Sequence, residues 1–199
     1  MKTNLISKIF YPFENNTSNF LLILGSCSFL ILCFLGYQWE FISDGIIQMH
    51  MATYKEFWKV LINNLINTAS LSLLMFFLAR LIYAKSRFID VLTVVLIAQA
   101  NLVCIALALF NPMLKETTQA IIPSMVNGTI KPDEGMLNQL VWLSFAAILA
   151  LVFILCFFFL LVQGMKIAMN SKKGYHGIII ILMTLLLDAL LWITRPYIN

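Results

Sequence analysis

The chain predicts an all-α integral membrane protein, five transmembrane helices in one bundle with the N-terminus cytoplasmic. Two observations predict the bundle and a third orients it. First, five apolar stretches, at about 20–39, 58–83, 88–110, 140–166 and 177–194, reach or approach the roughly 20 helical residues that a bilayer core about 30 Å thick asks for. Second, the 199 residues are 61% hydrophobic and only 11% charged, too little charge to cover a soluble surface of this size. Third, the basic residues are unevenly placed. The N-terminal segment and the second and fourth loops, with their flanks, hold Lys2, Lys8, Arg80, Lys85, Arg87, Lys166, Lys172 and Lys173, which is 8 basic residues against 2 acidic ones. The opposite side holds 5 basic against 6 acidic. Basic residues concentrate on the cytoplasmic side, so the C-terminus is expected outside.

Residues 1–19 are read as a short amphipathic cytoplasmic segment ahead of a membrane domain at 20–199. Leu5, Ile6, Ile9, Phe10 and Phe13 recur at helical spacing beside Lys2 and Lys8, as in a helix lying on a membrane surface; a frayed tail is the alternative. Pro12 is expected to end any regular helix there. Span one contains Leu24-Gly25-Ser26-Cys27, which looks like a lipoprotein cleavage box. The apolar run continues well past Cys27, so an uncleaved span is expected. The first loop, 40–57, reads as an extramembrane connection bracketed by Trp39 and Trp58 as interface anchors. His50 reads there as a solvated histidine without a ligand partner.

Span two carries a polar stripe. With Asn63 at zero on a wheel of about 100° per residue, Lys59, Asn67 and Ser70 fall within about 40° of it. Amides in hydrocarbon need partners that lipid does not offer, so the stripe is expected to face other helices or water. Residues 84–87 make the shortest connection, so spans two and three form an antiparallel hairpin with Arg80, Lys85 and Arg87 as a cytoplasmic basic cluster. Asp90 reads as a local salt-bridge partner. Span three adds Gln99 and Asn101, about 200° apart on the wheel. The longest loop, 111–139, contains Pro123 and a turn signal at Asn127-Gly128.

Span five holds Asp188, the only acid well inside a span. A carboxylate at that depth costs a few kcal/mol or more unless it is paired, hydrated or protonated. At 1.5 Å per residue it lies about 9 Å from the outer end, a level within reach of Asn63 and Asn67. A polar intramembrane cluster of Asn63, Asn67, Gln99, Asn101, Thr184 and Asp188 is therefore expected, with Thr184 a candidate donor to Asp188. Pairing with Arg195 is the alternative.

No known catalytic motif appears, and the two histidines, His50 and His176, fall on opposite sides of the membrane. The four cysteines sit inside spans without metal-ligand spacing and read as buried apolar residues. No cofactor, no metal site and no nucleic-acid partner is expected.

The segments KIFYPFENN at 8–16, ARLIYAKSRFIDVLTVVLIAQANLV at 79–103 and KGYHGIIIILMTLLL at 173–187, with the five-span spacing, make the chain similar to the Ypt-interacting protein (Yip) family, particularly its short bacterial members. The resemblance spans nearly the whole chain, and it implies a cytoplasmic N-terminus, an outward C-terminus and a non-enzymatic membrane module. Eukaryotic relatives contact small prenylated GTPases and carry a longer N-terminal region with a DLxGP-like motif. This chain has no such motif, so small GTPase binding is not expected. The expected function is a non-enzymatic membrane scaffold or assembly protein of the bacterial cytoplasmic membrane. Its expected partners are the lipid bilayer and other membrane proteins or a homo-oligomer. The alternative is a small-solute or proton-coupled transporter or channel subunit that uses the polar cluster.

Overall fold

The computed structural model describes residues 12–51, 56–112, 114 and 134–197. The N-terminal segment before Pro12 and most of the loop at 111–139, including Pro123 and Asn127-Gly128, lie outside the described residues. The described elements are α1 (Pro12–Asn15), α2 (Ser18–Trp39), β1 (Phe41–Ser43), β2 (Met49–Met51), α3 (Phe57–Ile82), α4 (Phe88–Leu109), α5 (Glu134–Ala168) and α6 (Tyr175–Thr194). Five of the helices, α2 to α6, are long and apolar enough to cross a membrane.

Each long helix follows an apolar run, and its ends fall where the run stops. α3 ends at Ile82, just after Arg80, and α4 begins after Arg87. The fourth helix starts earlier than its apolar run, at Glu134. Pro12 opens α1. A proline ring is tolerated in the first turn, where the missing N–H has no intrahelical partner; the helix expected to end at Pro12 falls on residues outside those described.

α4 is the centre of the bundle. In its hydrophobic window 61% of residues are buried, against 22–33% in the other four. Seven consecutive residues, Thr93 to Gln99, are buried, which means that every face of this segment is covered. α2, α3 and α5 pack around it, and α6 packs on α3 and α5. One core joins Leu71 and Met75 of α3, Val91 and Val95 of α4, Phe157 and Leu161 of α5 and Ile180 of α6. The outer surface is apolar, with Trp142, Ile148, Leu155, Leu182 and Leu186 exposed. A soluble monomer rarely shows so continuous an apolar surface.

The cysteines vary more than expected. Cys33 is buried and Cys104 and Cys156 are half-buried, but Cys27 is exposed on the outside of α2.

The segment between α2 and α3 departs most from its reading as an extramembrane loop. It folds back into the bundle as a β-hairpin. Its strands are antiparallel, with Phe41 opposite Met51 and Ser43 opposite Met49. Phe41, Ile42, Ser43 and Ile46 are all buried. Phe41 packs on the ring of Phe110 with centroids 4.7 Å apart, and Ile46 at the tip joins the main core. The apolar content of this stretch explains the inward fold. In a membrane domain, non-helical backbone is tolerated only where protein or water satisfies it, and that requirement decides the site.

Candidate functional site

The site lies at the end of the bundle where α2 finishes and α3 begins. It is built from the tip of the hairpin and from polar residues on α3, α4 and α6. The tip is closed by the Asp44 N–H donating to the Gln48 carbonyl at 3.1 Å. Three further donors at the tip, two from the backbone and one from a side chain, point at Asp188. The N–H groups of Ile46 and Ile47 donate to Asp188 Oδ1 at 2.6 and 3.1 Å, and Gln48 Nε2 donates to Oδ2 at 3.3 Å. Successive backbone N–H groups converging on one acceptor form an anion-binding concavity. Here the anionic residue comes from another helix of the same chain.

Gly45 makes this approach possible. A Cβ built on it would stand 2.4 Å from Asp188 Oδ1, inside any real contact distance. Only glycine lets the tip come this close.

The stripe on α3 grips the strand before the tip. Asn67 Nδ2 donates to the Ser43 carbonyl at 3.2 Å, and the Ser43 hydroxyl donates to Asn64 Oδ1 at 3.2 Å. Asn64 Nδ2 donates to the carbonyl of Val60, one turn earlier, at 3.0 Å. From the other side, the Tyr197 hydroxyl donates to Asn67 Oδ1 at 2.7 Å. Thr68 links the stripe to α4. Its Oγ1 lies 2.9 Å from both the Asn64 carbonyl and the Gln99 amide. Both Gln99 Oε1 and the Asn64 carbonyl oxygen are acceptors, so the one hydroxyl proton of Thr68 is shared between them. Asn63 is buried beside Asn64 and Asn67.

The structure brings Asn67, Gln99 and Asp188 into contact with this assembly, but not Asn101 or Thr184. Asn101 Nδ2 donates to the carbonyl of Ala98, three residues earlier on α4. Thr184 is buried, but its hydroxyl donates to the Ile180 carbonyl at 2.8 Å and not to Asp188, as a threonine inside a helix commonly does. Among the described residues no ion pair joins Asp188 to Arg195. His50 has a partner that the sequence did not suggest, Asp44 Oδ2 at 3.0 Å across the hairpin. Burial, and then the nearby Asp44 and Asp188 carboxylates, push the Tyr197 phenol above its ordinary value, while the bond to Asn67 pulls the other way.

Sequence reasoning missed Ser43, Gly45, the tip N–H groups, Gln48 and Tyr197. One signal was present. Asp44-Gly45 is a turn dipeptide between two short apolar runs, but strands of three residues leave almost no periodicity to read.

At the opposite end, Arg80 donates to the Ala84 carbonyl, and its guanidinium stands 5.9 Å from the Phe76 ring centroid. Lys85 and Arg87 are exposed. Asp90 lines a small groove with both of them but makes no ion pair among the described residues, so the expected local salt bridge is absent there. Ser86 is buried and donates to the Ala168 carbonyl at 3.0 Å, which ties the α3–α4 turn to the end of α5. Among the described residues no group of three His, Cys, Asp or Glu side chains could hold a metal ion.

The assembled site can hold backbone in place. Its acceptors and donors meet one another, and its residues line neither the groove between α5 and α6 nor the one beside the α3–α4 turn. No protein-family model, curated protein or solved structure matches this chain.

Proposed function

We propose that this protein is a non-enzymatic, multi-pass scaffold or assembly protein of a bacterial cytoplasmic membrane, Yip-like in kind, with its N-terminus cytoplasmic. One observation carries the reading. The acid and amides that a transporter would use to handle a solute are engaged in fixing a re-entrant hairpin. Asp188 meets two backbone N–H groups and a glutamine amide, and Asn67 meets Ser43 and Tyr197. A transport site alternates its exposure around a ligand, whereas this one holds parts of its own chain. The proposed orientation rests on the 8 to 5 distribution of basic residues.

Reconstituted vesicles test the function. A scaffold passes no proton or cation current above that of empty vesicles under an imposed pH or potential gradient. A current that disappears in Asp188→Asn would overturn the proposal in favour of a proton-coupled transporter. That runner-up has one observation on its side: the Ser72 hydroxyl, one turn beyond Thr68, is buried without a hydrogen-bond partner among the described residues. Orientation has its own test. Single cysteines at the exposed Lys85 and at Thr129, in a background without native cysteines, should react differently with an impermeant thiol reagent applied outside, and only position 129 should label.

A further inference from the structure

The basic end of the bundle presents a feature that the scaffold reading does not use. A groove of about 970 Å³ runs between α5 and α6. Its walls are apolar, formed by Leu155, Phe158, Val162 and Ile181. Its polar end carries Lys166 and Lys172. The two lysines meet there because α5 ends in a tight reversal. Asn170 takes the left-handed conformation at φ 47°, and the Ser171 N–H then bonds back to the Lys166 carbonyl at 2.8 Å. Such a cap turns the chain sharply after a helix, here returning Lys172 to the groove that Lys166 already lines.

No acidic side chain lines the groove, and neither lysine has an ion-pair partner among the described residues. Between the lysines and the apolar wall lies Gln163. Both the nitrogen and the oxygen of its amide are buried without a hydrogen-bond partner. A buried amide left unmatched is costly, and a native structure that keeps one commonly reserves it for something absent.

We infer that the α5–α6 groove is a binding site for an anionic two-chain phospholipid. Lys166 and Lys172 face its phosphate and headgroup, Gln163 meets the glycerol-ester level, and an acyl chain lies along Leu155, Phe158 and Ile181. The order of these chemistries down the groove is the order within a phospholipid: charge, then hydrogen-bonding groups, then hydrocarbon. Basic pockets between helices at the cytoplasmic face are where anionic headgroups bind. The inference rests on the membrane-spanning reading of the five helices and on the proposed cytoplasmic placement of the basic end, and not on the scaffold reading.

The test uses the full-length protein in detergent, offered equal amounts of phosphatidylglycerol and phosphatidylcholine with identical chains. Native mass spectrometry counts the lipids retained. The expected result is a preference for phosphatidylglycerol of about thirtyfold, the scale of two lysines beside an anionic surface. Lys166→Gln with Lys172→Gln should abolish that preference, and the paired arginine substitutions should restore it. Ile181→Trp, which fills the apolar part, should reduce retention of the lipid without altering charge. Equal retention of the two lipids by the native protein, or a preference that survives the double glutamine substitution, overturns the site. Displacement of the lipid by millimolar inorganic phosphate also overturns it, because a free-anion site needs no hydrocarbon wall. Alkaline extraction of the protein from vesicles separates the two levels of failure. A chain released by alkali refutes the membrane reading itself, whereas one that stays inserted but shows no lipid preference refutes only the groove.

Discussion

At the hairpin end of the bundle, the carboxyl of Asp188, the amides of Asn64, Asn67 and Gln99 and the phenol of Tyr197 all find partners inside the protein. At the basic end, Lys166, Lys172 and the buried amide of Gln163 find none among the described residues. Both ends place polar groups among apolar helices, and they differ in what those groups serve. The hairpin end contains irregular backbone, whose N–H and C=O groups require partners wherever water is excluded. Its polar side chains are therefore fixed by the chain's own needs. The basic end is closed by a short turn whose backbone is already capped and whose Ser171 hydroxyl meets His176, so Lys166 and Lys172 remain free for something outside the chain. Long lysine stems suit that position, since they lie along apolar surface while the charge reaches the interface.

The sharpest way to break this contrast is to remove the acceptor at the hairpin tip. Asp188→Leu would leave Ile46 N–H, Ile47 N–H and the Gln48 amide unmatched. At about 1–3 kcal/mol for each buried unsatisfied donor, with partial relaxation, the expected loss is about 3–5 kcal/mol. Denaturant unfolding in micelles measures it. Asp188→Asn keeps an acceptor oxygen and should lose roughly half as much. A loss near zero for the leucine variant would mean that the hairpin does not depend on this residue.

Gly45→Ala attacks the same contact from the other side. Its methyl group would stand 2.4 Å from Asp188 Oδ1, so the tip must withdraw. The expected cost is about 2–3 kcal/mol, in the range of other core clashes. Amide exchange at Ile46 and Ile47 should accelerate in step. Protection that persists at both amides would show that the tip accommodates a side chain.

Tyr197→Phe tests the outermost partner. It leaves Asn67 Oδ1 without its donor and should cost about 1 kcal/mol at neutral pH. The substitution also has a pH signature. The Tyr197 phenol titrates above its ordinary value of 10.0 when folded, so the folded state holds the proton more tightly than the unfolded one. That stability is fully present below about pH 10 and is lost as pH rises through the folded value. Unfolding followed from pH 9 upward should therefore show a decline that the phenylalanine variant lacks. Equal declines in the two proteins would place the phenol outside the network.

The smallest effect should carry the opposite sign. Gln163→Leu at the basic end removes an amide with no partner to lose, so it should leave stability in lipid-free micelles unchanged or raise it by up to about 1 kcal/mol. A loss of more than that would show the amide to be structurally engaged, and the two ends would no longer differ.

The sequence by itself determined which parts of the chain form long apolar helices. An apolar run of about 20 residues has few alternatives to a helix, which is why α2, α3, α4 and α6 begin and end within two residues of the apolar stretches. It also determined that Asn67 must face inward, because an amide among apolar neighbours has few places to go. Tertiary structure alone decided what these polar groups meet. Asp188 lies 142 residues from Ile46, and its partners are backbone N–H groups, which every non-proline residue carries and which leave no mark in a sequence. The hairpin's strands have three residues each, too few for alternation to register. The reason is the range over which each signal acts. Helix formation and apolar burial are read from neighbours within a few turns, whereas a hydrogen bond between a loop tip and a distant helix exists only after the bundle has brought them together.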